Sequence, residues 1–286
     1  MLNELHIECT HLYAVGDIHG YFNELAFMLK RYDLKDDCIV ICGDCGLGFS
    51  SPQATKQDMS KLNKACRERN MRIVMVRGNH DDPKYFEEGL ANTKYLIAVP
   101  DYTVINGNIL VVGGGVSIDR MSRKDTMEIN MRHYKKYHPG CSEAEAFERI
   151  NKCYWPNELP VYDEEKLNEI ENAGIRIEHV MTHTCPSFCE PTTKDGVMGW
   201  IARDPGLMED LSQERLVMNQ IYDFLEKNGH CVKTWTYGHY HKHCSQLYYG
   251  VKFTMLDCVG AGSMSPDWIE ICDYTTQETI NSDREK

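Results

Sequence analysis

The stretch RIVMVRGNHDD, residues 72–82, changes character in its middle. A short apolar run, rich in branched side chains and closed by glycine, reads as a buried strand. A dense polar group, GNHDD, follows it at once. The same switch occurs twice upstream, in LYAVGDIHG (12–20) and in CIVICGDCG (38–46). Between these runs lie FNELAFMLKRY (22–32), with Leu25, Met28 and Leu29 on one helical face, and KQDMSKLNKACRERN (56–70), also helical in period. The order strand, helix, strand, helix, strand implies parallel strands with crossover helices. Ligands of open α/β sheets bind beyond the carboxyl ends of such strands. The polar clusters therefore belong on one rim.

Two further clusters follow apolar runs: His183 after HVMT (179–182), and Gly238-His239-Tyr240-His241 after VKTWTY. YTVI and NILVV flank Asn106-Gly107, a strong hairpin signal. SQLYYG, VKFTML and WIEICDY read as strands joined by turns, so a parallel half is expected to precede an antiparallel half. Ser142 and Glu145 form a capping box. Asp163 to Gly174 and Ser212 to Gly229 read as helices closed by glycine. Residues 117–160 hold few apolar residues and no clean strand. They are expected to form an irregular insertion, either a lid or binding loop or a solvated excursion. One domain is expected over residues 1–276, followed by a polar, fraying tail at 277–286.

The chain has 286 residues, 42% hydrophobic and 26% charged, enough for a sizeable core. Its net charge of −12 disfavours an extended nucleic-acid footprint. A bound cation could still draw in a small anionic substrate. The first residues carry no basic start or apolar stretch of signal-peptide kind, and no run approaches the ~20 apolar residues of a membrane span. A cytoplasmic location is the expectation, with the 13 cysteines reduced and mostly core filler. Cys42 and Cys45 form a C-x-x-C and Cys185 and Cys189 a looser pair. Cys42 falls in a strand run, which favours packing over zinc or redox chemistry.

Residues i and i+2 leaving a strand project to one side. On that rule Asp17 and His19 could grip one ion together, as could His239 and His241. Glycines at 16, 20, 43, 78 and 238 permit tight turns and close approach. Carboxylate, imidazole and amide donors suit a hard-to-borderline divalent ion such as Mn, Fe or Zn. Two Asp, one Asn and four His exceed the needs of one tetrahedral ion. They suit two ions sharing a bridging carboxylate.

The ordered set D-x-H-G, G-D, G-N-H-D, a lone His and G-H-x-H resembles the calcineurin-like metallophosphoesterases, over about residues 11–245. That resemblance implies a four-layer α/β sandwich of two mixed sheets flanked by helices. It also implies two divalent metal ions. Asp17, His19 and His241 would hold the first, Asn79, His183 and His239 the second, and Asp44 would bridge. His80 would face the substrate, with Asp81 orienting its ring. The implied activity is hydrolysis of a phosphate monoester or diester of small size by in-line attack of a metal-bridging hydroxide. His80 would stabilise charge or protonate the leaving group. The alternatives are a non-catalytic scaffold of the same fold and a nuclease of the same family. The second motif, Gly43-Asp44-Cys45-Gly46, lacks the Asp-Arg pair of the protein Ser/Thr phosphatases, and Asp81 stands where they carry Glu. Arg120 and Arg123, after the triple glycine at 113–115, are candidate phosphate contacts. Their other reading is surface ion pairing. His243 continues the alternation of His239 and His241 but falls outside the family pattern.

Overall fold

The computed structural model describes residues 1–150, 152–192, 196–259 and 268–275. Its strands are β1 Asn3–Leu5, β2 His11–Val15, β3 Cys38–Ile41, β4 Arg72–Met75, β5 Leu96–Ala98, β6 Thr103–Ile105, β7 Ile109–Val112, β8 His179–Thr182, β9 Thr234–Tyr237, β10 Cys244–Tyr248, β11 Val251–Met255 and β12 Trp268–Asp273. Its helices are α1 Phe22–Arg31, α2 Pro52–Arg69, α3 Lys84–Glu87, α4 Arg120–Tyr137, α5 Glu143–Arg149, α6 Glu164–Asn172, α7 Val197–Ile201 and α8 Leu207–Lys227. Two mixed sheets result, one in the order β12-β2-β3-β4-β5 and the other β1-β6-β7-β8-β9-β11-β10.

Strand alternation builds the layers, because successive side chains face opposite sides of a sheet. In β3, Cys38 and Val40 enter the core between the sheets, while Ile39 and Ile41 pack under α1 and α2 with Leu25, Leu29 and Leu62. In β7, Ile109 and Val111 face the other sheet, while Leu110 and Val112 pack toward α6 and α8 with Leu167, Ile170, Val217 and Ile221. Both faces of each sheet are apolar, so each lies between the other sheet and a helical layer. This is the four-layer α/β sandwich. Cys42 and Cys45 fall in different cores, one between the sheets and one under the helices, and all 13 cysteines are free thiols.

Three expectations are corrected. The second sheet is not an antiparallel half: β7, β8, β9 and β11 run parallel, with antiparallel pairing at β6–β7 and β10–β11. The hairpin at Asn106-Gly107 forms, but the long helix α8 returns the chain between β8 and β9, so they cross over. Residues 117–160 are not irregular: they contain the 18-residue α4 and the capped α5. Their apolar period is faint because α4 buries only Arg120, an ion-paired side chain. Helix α8 starts at Leu207, not Ser212, since Leu207 and Leu211 pack against Val116. Ser212 lies inside the helix and its hydroxyl donates back to the Met208 carbonyl. The tail 277–286 lies outside the described residues.

Trp235 on β9 is fully buried and its indole N–H donates to Thr182 Oγ1 on β8 at 2.8 Å. Replacing Trp235 with Ala removes that volume and the donor to the Thr182 hydroxyl oxygen, which still donates to the Thr184 carbonyl. Urea denaturation should show a loss of about 3–5 kcal/mol. A loss below about 1 kcal/mol would contradict the packing described.

Candidate metal centre

Asp17 follows β2, Asp44 follows β3, Asn79 and His80 follow β4, His183 follows β8, and His239 and His241 follow β9. The ends of five parallel strands from two sheets thus bring these side chains to one rim. Their approach is closer than any side chain at the glycines would permit. A Cβ on Gly43, whose φ is +91°, would lie 2.1 Å from His183 Nδ1, and one on Gly238 would lie 2.0 Å from Asp17 Oδ1. His19, Asp44, His239 and His241 all have positive φ. Such conformations cost of order 1–3 kcal/mol each and persist where surrounding contacts fix them.

The positive φ values correct the alternation rule. His239 and His241 leave β9 in a turn, not as extended chain, and diverge. His239 is buried beside His183, whereas the His241 side chain is 47% exposed beside His19 and Asp17. Tyr240 between them turns its hydroxyl toward Thr184 Oγ1, 2.9 Å away. His243 is exposed and lies outside the lining of the cleft described below.

Two groups of donors form. In one, His241 Nε2 lies 3.0 Å from Asp17 Oδ2 and 2.9 Å from His19 Nε2. In the other, His183 Nε2 lies 2.9 Å from Asn79 Oδ1, 3.0 Å from His239 Nδ1 and 3.3 Å from Asp44 Oδ1. Asp44 Oδ2 lies 3.8 Å from His19 Nδ1, the ring nitrogen other than the one facing His241, so its carboxylate stands beside both groups. The donor chemistry fits cations. His183 Nδ1 lies 2.9 Å from the Cys42 carbonyl, which can only accept, so that nitrogen carries the proton. A bound cation would meet the Nε2 lone pair there together with an amide oxygen and a carboxylate. The Asn79 amide NH₂ is committed to Ser117 Oγ at 2.9 Å, which holds its oxygen toward His183. Lone pairs gathered this way repel unless positive charge sits among them. Asp17, Asp44 and His183 offer ligand atoms all within 4.8 Å of one another, as do Asp17, His19 and His241.

Supporting groups fix these donors. Glu158 accepts from the Ser117 amide at 2.9 Å and from its hydroxyl at 2.8 Å, completing a chain from Glu158 through Ser117 to Asn79. Burial pushes the Glu158 carboxyl up to about 7, against the pull of the Ser117 bonds and of Arg120 and Arg123. Glu214 accepts from the Val116 amide at 2.7 Å and lies 3.7 Å from His239 Nε2. Carboxylates that lean on an imidazole in this way orient it toward a metal. Ser117 stands in the glycine-rich segment that also carries the two arginines, but no local pattern marks Glu158 or Glu214.

Asp81 is engaged by main-chain amides. Its carboxylate takes the amides of Leu47, Gly78 and Cys45 at 2.8, 2.8 and 3.1 Å, tying the second and third motifs together. Burial and the nearby Asp44 charge push it up to about 7. The His80 ring stacks on Phe49 at 5.4 Å, and its Nε2 faces Arg123 Nη2 at 3.0 Å. Arg123 is further held by Asp119 and the Cys153 carbonyl. Arg120 is elsewhere engaged: it is buried against Asp204 and Asp210 and does not line the cleft. Arg77 is likewise paired, with Asp101. The cleft itself, of about 350 Å³, is lined by Asp44, Asn79, His80, Arg123, Trp200 and His241 among others.

Residues 10–243 match the family described as calcineurin-like phosphoesterase. No curated protein matches the chain. Similar solved structures include a dimetal phosphatase from Danio rerio, 14% identical with a TM-score of 0.43, covering 88% of each chain. The protein TT1561 of Thermus thermophilus is 12% identical with a TM-score of 0.47, covering 87% of this chain and 90% of that one. A phosphopantetheinyl hydrolase from Mycobacterium tuberculosis is 13% identical with a TM-score of 0.39, covering 93% of this chain and 97% of that one.

A raised carboxyl contributes stability that is full below its unfolded value, near 4.5, and is lost as pH rises through about 7. Glu158→Gln keeps the shape and removes that dependence. Urea denaturation at pH 5 and pH 8 should show the variant gaining on the wild type by roughly 2–3 kcal/mol at the higher pH. An equal difference at both pH values would contradict a buried, raised Glu158.

Proposed function

The chain belongs to the calcineurin-like phosphoesterase family, and we propose that it hydrolyses a small phosphate monoester or diester with two divalent ions held at the rim. Asp17, His19 and His241 would hold one ion and Asn79, His183 and His239 the other, with Asp44 shared between them. The observation that carries this reading is that two sets of ligand atoms, Asp17 with His19 and His241, and Asp17 with Asp44 and His183, each gather within 4.8 Å at one rim. When bound, such a pair acidifies water and neutralises phosphoryl charge. Mn, Fe and Zn all suit the donor set.

The chain's own contribution lies on the cleft beside the donors. His80 and Arg123 face the space an incoming phosphoryl group would enter. Arg123 points Nη2 at the His80 Nε2 lone pair, so that the His80 proton rests on Nδ1, toward Asp44 Oδ2 at 3.7 Å. Phosphoryl oxygens are stronger acceptors than an imidazole and match the guanidinium fork. An arriving phosphate would take Nη2 and free His80 Nε2 to pick up a proton from solvent, and the ring, then protonated on both nitrogens, could donate from Nε2 to the leaving-group oxygen. Phe49 holds the imidazole plane during that exchange. The net charge of −12 supports a small substrate over a nucleic acid. Among the described residues no helix is long and apolar enough to cross a membrane.

The test uses metal-stripped chain reloaded with Mn, Fe or Zn and assayed on p-nitrophenyl phosphate and bis-p-nitrophenyl phosphate. Turnover should require the added ion and appear on at least one ester. A chain that binds two ions and hydrolyses neither ester would favour a scaffold. Within the active protein, His80→Ala should lower kcat by about 10²–10⁴ with the ion count unchanged. Full turnover in that variant would refute the role given to His80. Arg123→Ala should raise KM, and an unchanged KM would remove Arg123 from the substrate contacts.

A further inference from the structure

Two neighbouring residues of α8, Glu214 and Arg215, are buried although both are charged. Adjacent helical residues point about 100° apart, so they reach different loops. Glu214 reaches the Val116 amide and His239, as described. Arg215 reaches the loop that follows His183. Its Nη2 donates to the carbonyls of Pro186 and Cys189 at 2.7 and 2.6 Å, and its Nη1 to that of Pro191 at 2.6 Å. Nη1 also meets the Tyr240 hydroxyl at 3.3 Å, and the guanidinium carbon lies 5.6 Å from the Tyr240 ring centroid.

Among the described residues no carboxylate forms an ion pair with Arg215. A buried guanidinium is costly to desolvate, and main-chain carbonyls alone are its acceptors here, with one phenol. Such a residue stabilises a particular loop path more than it stabilises a core. The two loops it joins are those that leave β8 and β9. One begins at His183, and Tyr240 in the other sits between His239 and His241. Their spacing sets the 3.0 Å separation of His183 Nε2 and His239 Nδ1. The same spacing must keep His239 and His241 in their positive-φ turn.

We infer that Arg215 is a positioning residue for the His183–His239 half of the metal centre, clamping the two loops at the distance that one ion requires. The inference rests on the two-ion reading above. Lys cannot replace Arg here. An ammonium carries three donors at one point and cannot span three carbonyls and a phenol.

The experiment titrates metal-free full-length chain with Co²⁺, following visible absorption, and checks folding by circular dichroism. Wild type should take up two ions. Arg215→Lys should keep one at wild-type affinity and weaken the other about 10–100-fold. The weakened ion should be the one that His183→Ala also loses. Tyr240→Phe, which removes only the shared hydroxyl, should weaken the same ion by a smaller factor. A folded Arg215→Lys that binds both ions as wild type does would overturn the inference. If Arg215→Lys does not fold, Tyr240→Phe is compared with Thr184→Val, which removes the hydroxyl's other partner: selective weakening confined to Tyr240→Phe supports the inference, and unchanged binding, or equal weakening in both, overturns it. Wild type that binds no pair of ions would instead refute the two-ion reading itself.

Discussion

The arrangement of the molecule turns on lone pairs held together against their own repulsion. Asn79 Oδ1, His239 Nδ1 and an Asp44 oxygen crowd within 3.3 Å of His183 Nε2, in a buried place. Their neighbouring atoms are already committed. The Cys42 carbonyl takes the His183 proton, Ser117 takes the Asn79 amide, and Glu214 faces the far nitrogen of His239. Buried charges and lone pairs without compensation are unfavourable by several kcal/mol. The surrounding fold must therefore force the approach, and a bound cation would relieve it.

The forcing is visible in the backbone. Five strand ends converge, and at Gly43 and Gly238 a Cβ would strike His183 and Asp17. Asp81 ties two of the motifs through three amides, which accounts for a buried carboxylate at that position. Arg215 performs a comparable task for the β8 and β9 loops, using a cation where Asp81 uses an anion. Chemistry at the rim thus depends on polar clamps one layer removed from it.

Much of this is legible in the sequence. The switch from apolar run to polar cluster at 12–20, 38–46 and 72–82 places the strands, their parallel order and the rim. The donor set follows from residue type. The second sheet is less legible: the helix before VKTWTY is readable, but the order β7-β8-β9-β11 joins strands far apart in sequence, which strand runs alone do not disclose. Helix α4 is hidden because it is held by Arg120 and its acids, and so lacks an apolar stripe. The rule that i and i+2 project together fails at His239 and His241, where the backbone leaves the strand conformation. Glu158, Glu214 and Arg215 carry no local signal. They lie 41, 98 and 24 residues from Ser117, Val116 and Pro191, the groups they hold, and only the fold brings them there.

The two-ion reading makes the Asp44 carboxylate a ligand held in common. Electron paramagnetic resonance of the chain loaded with Mn²⁺ addresses it directly. A carboxylate held in common should give an exchange-coupled spectrum, and Asp44→Ala should abolish the coupling. Spectra that sum only isolated Mn²⁺ signals at full loading of the wild type would contradict a shared ligand and the dinuclear centre built on it.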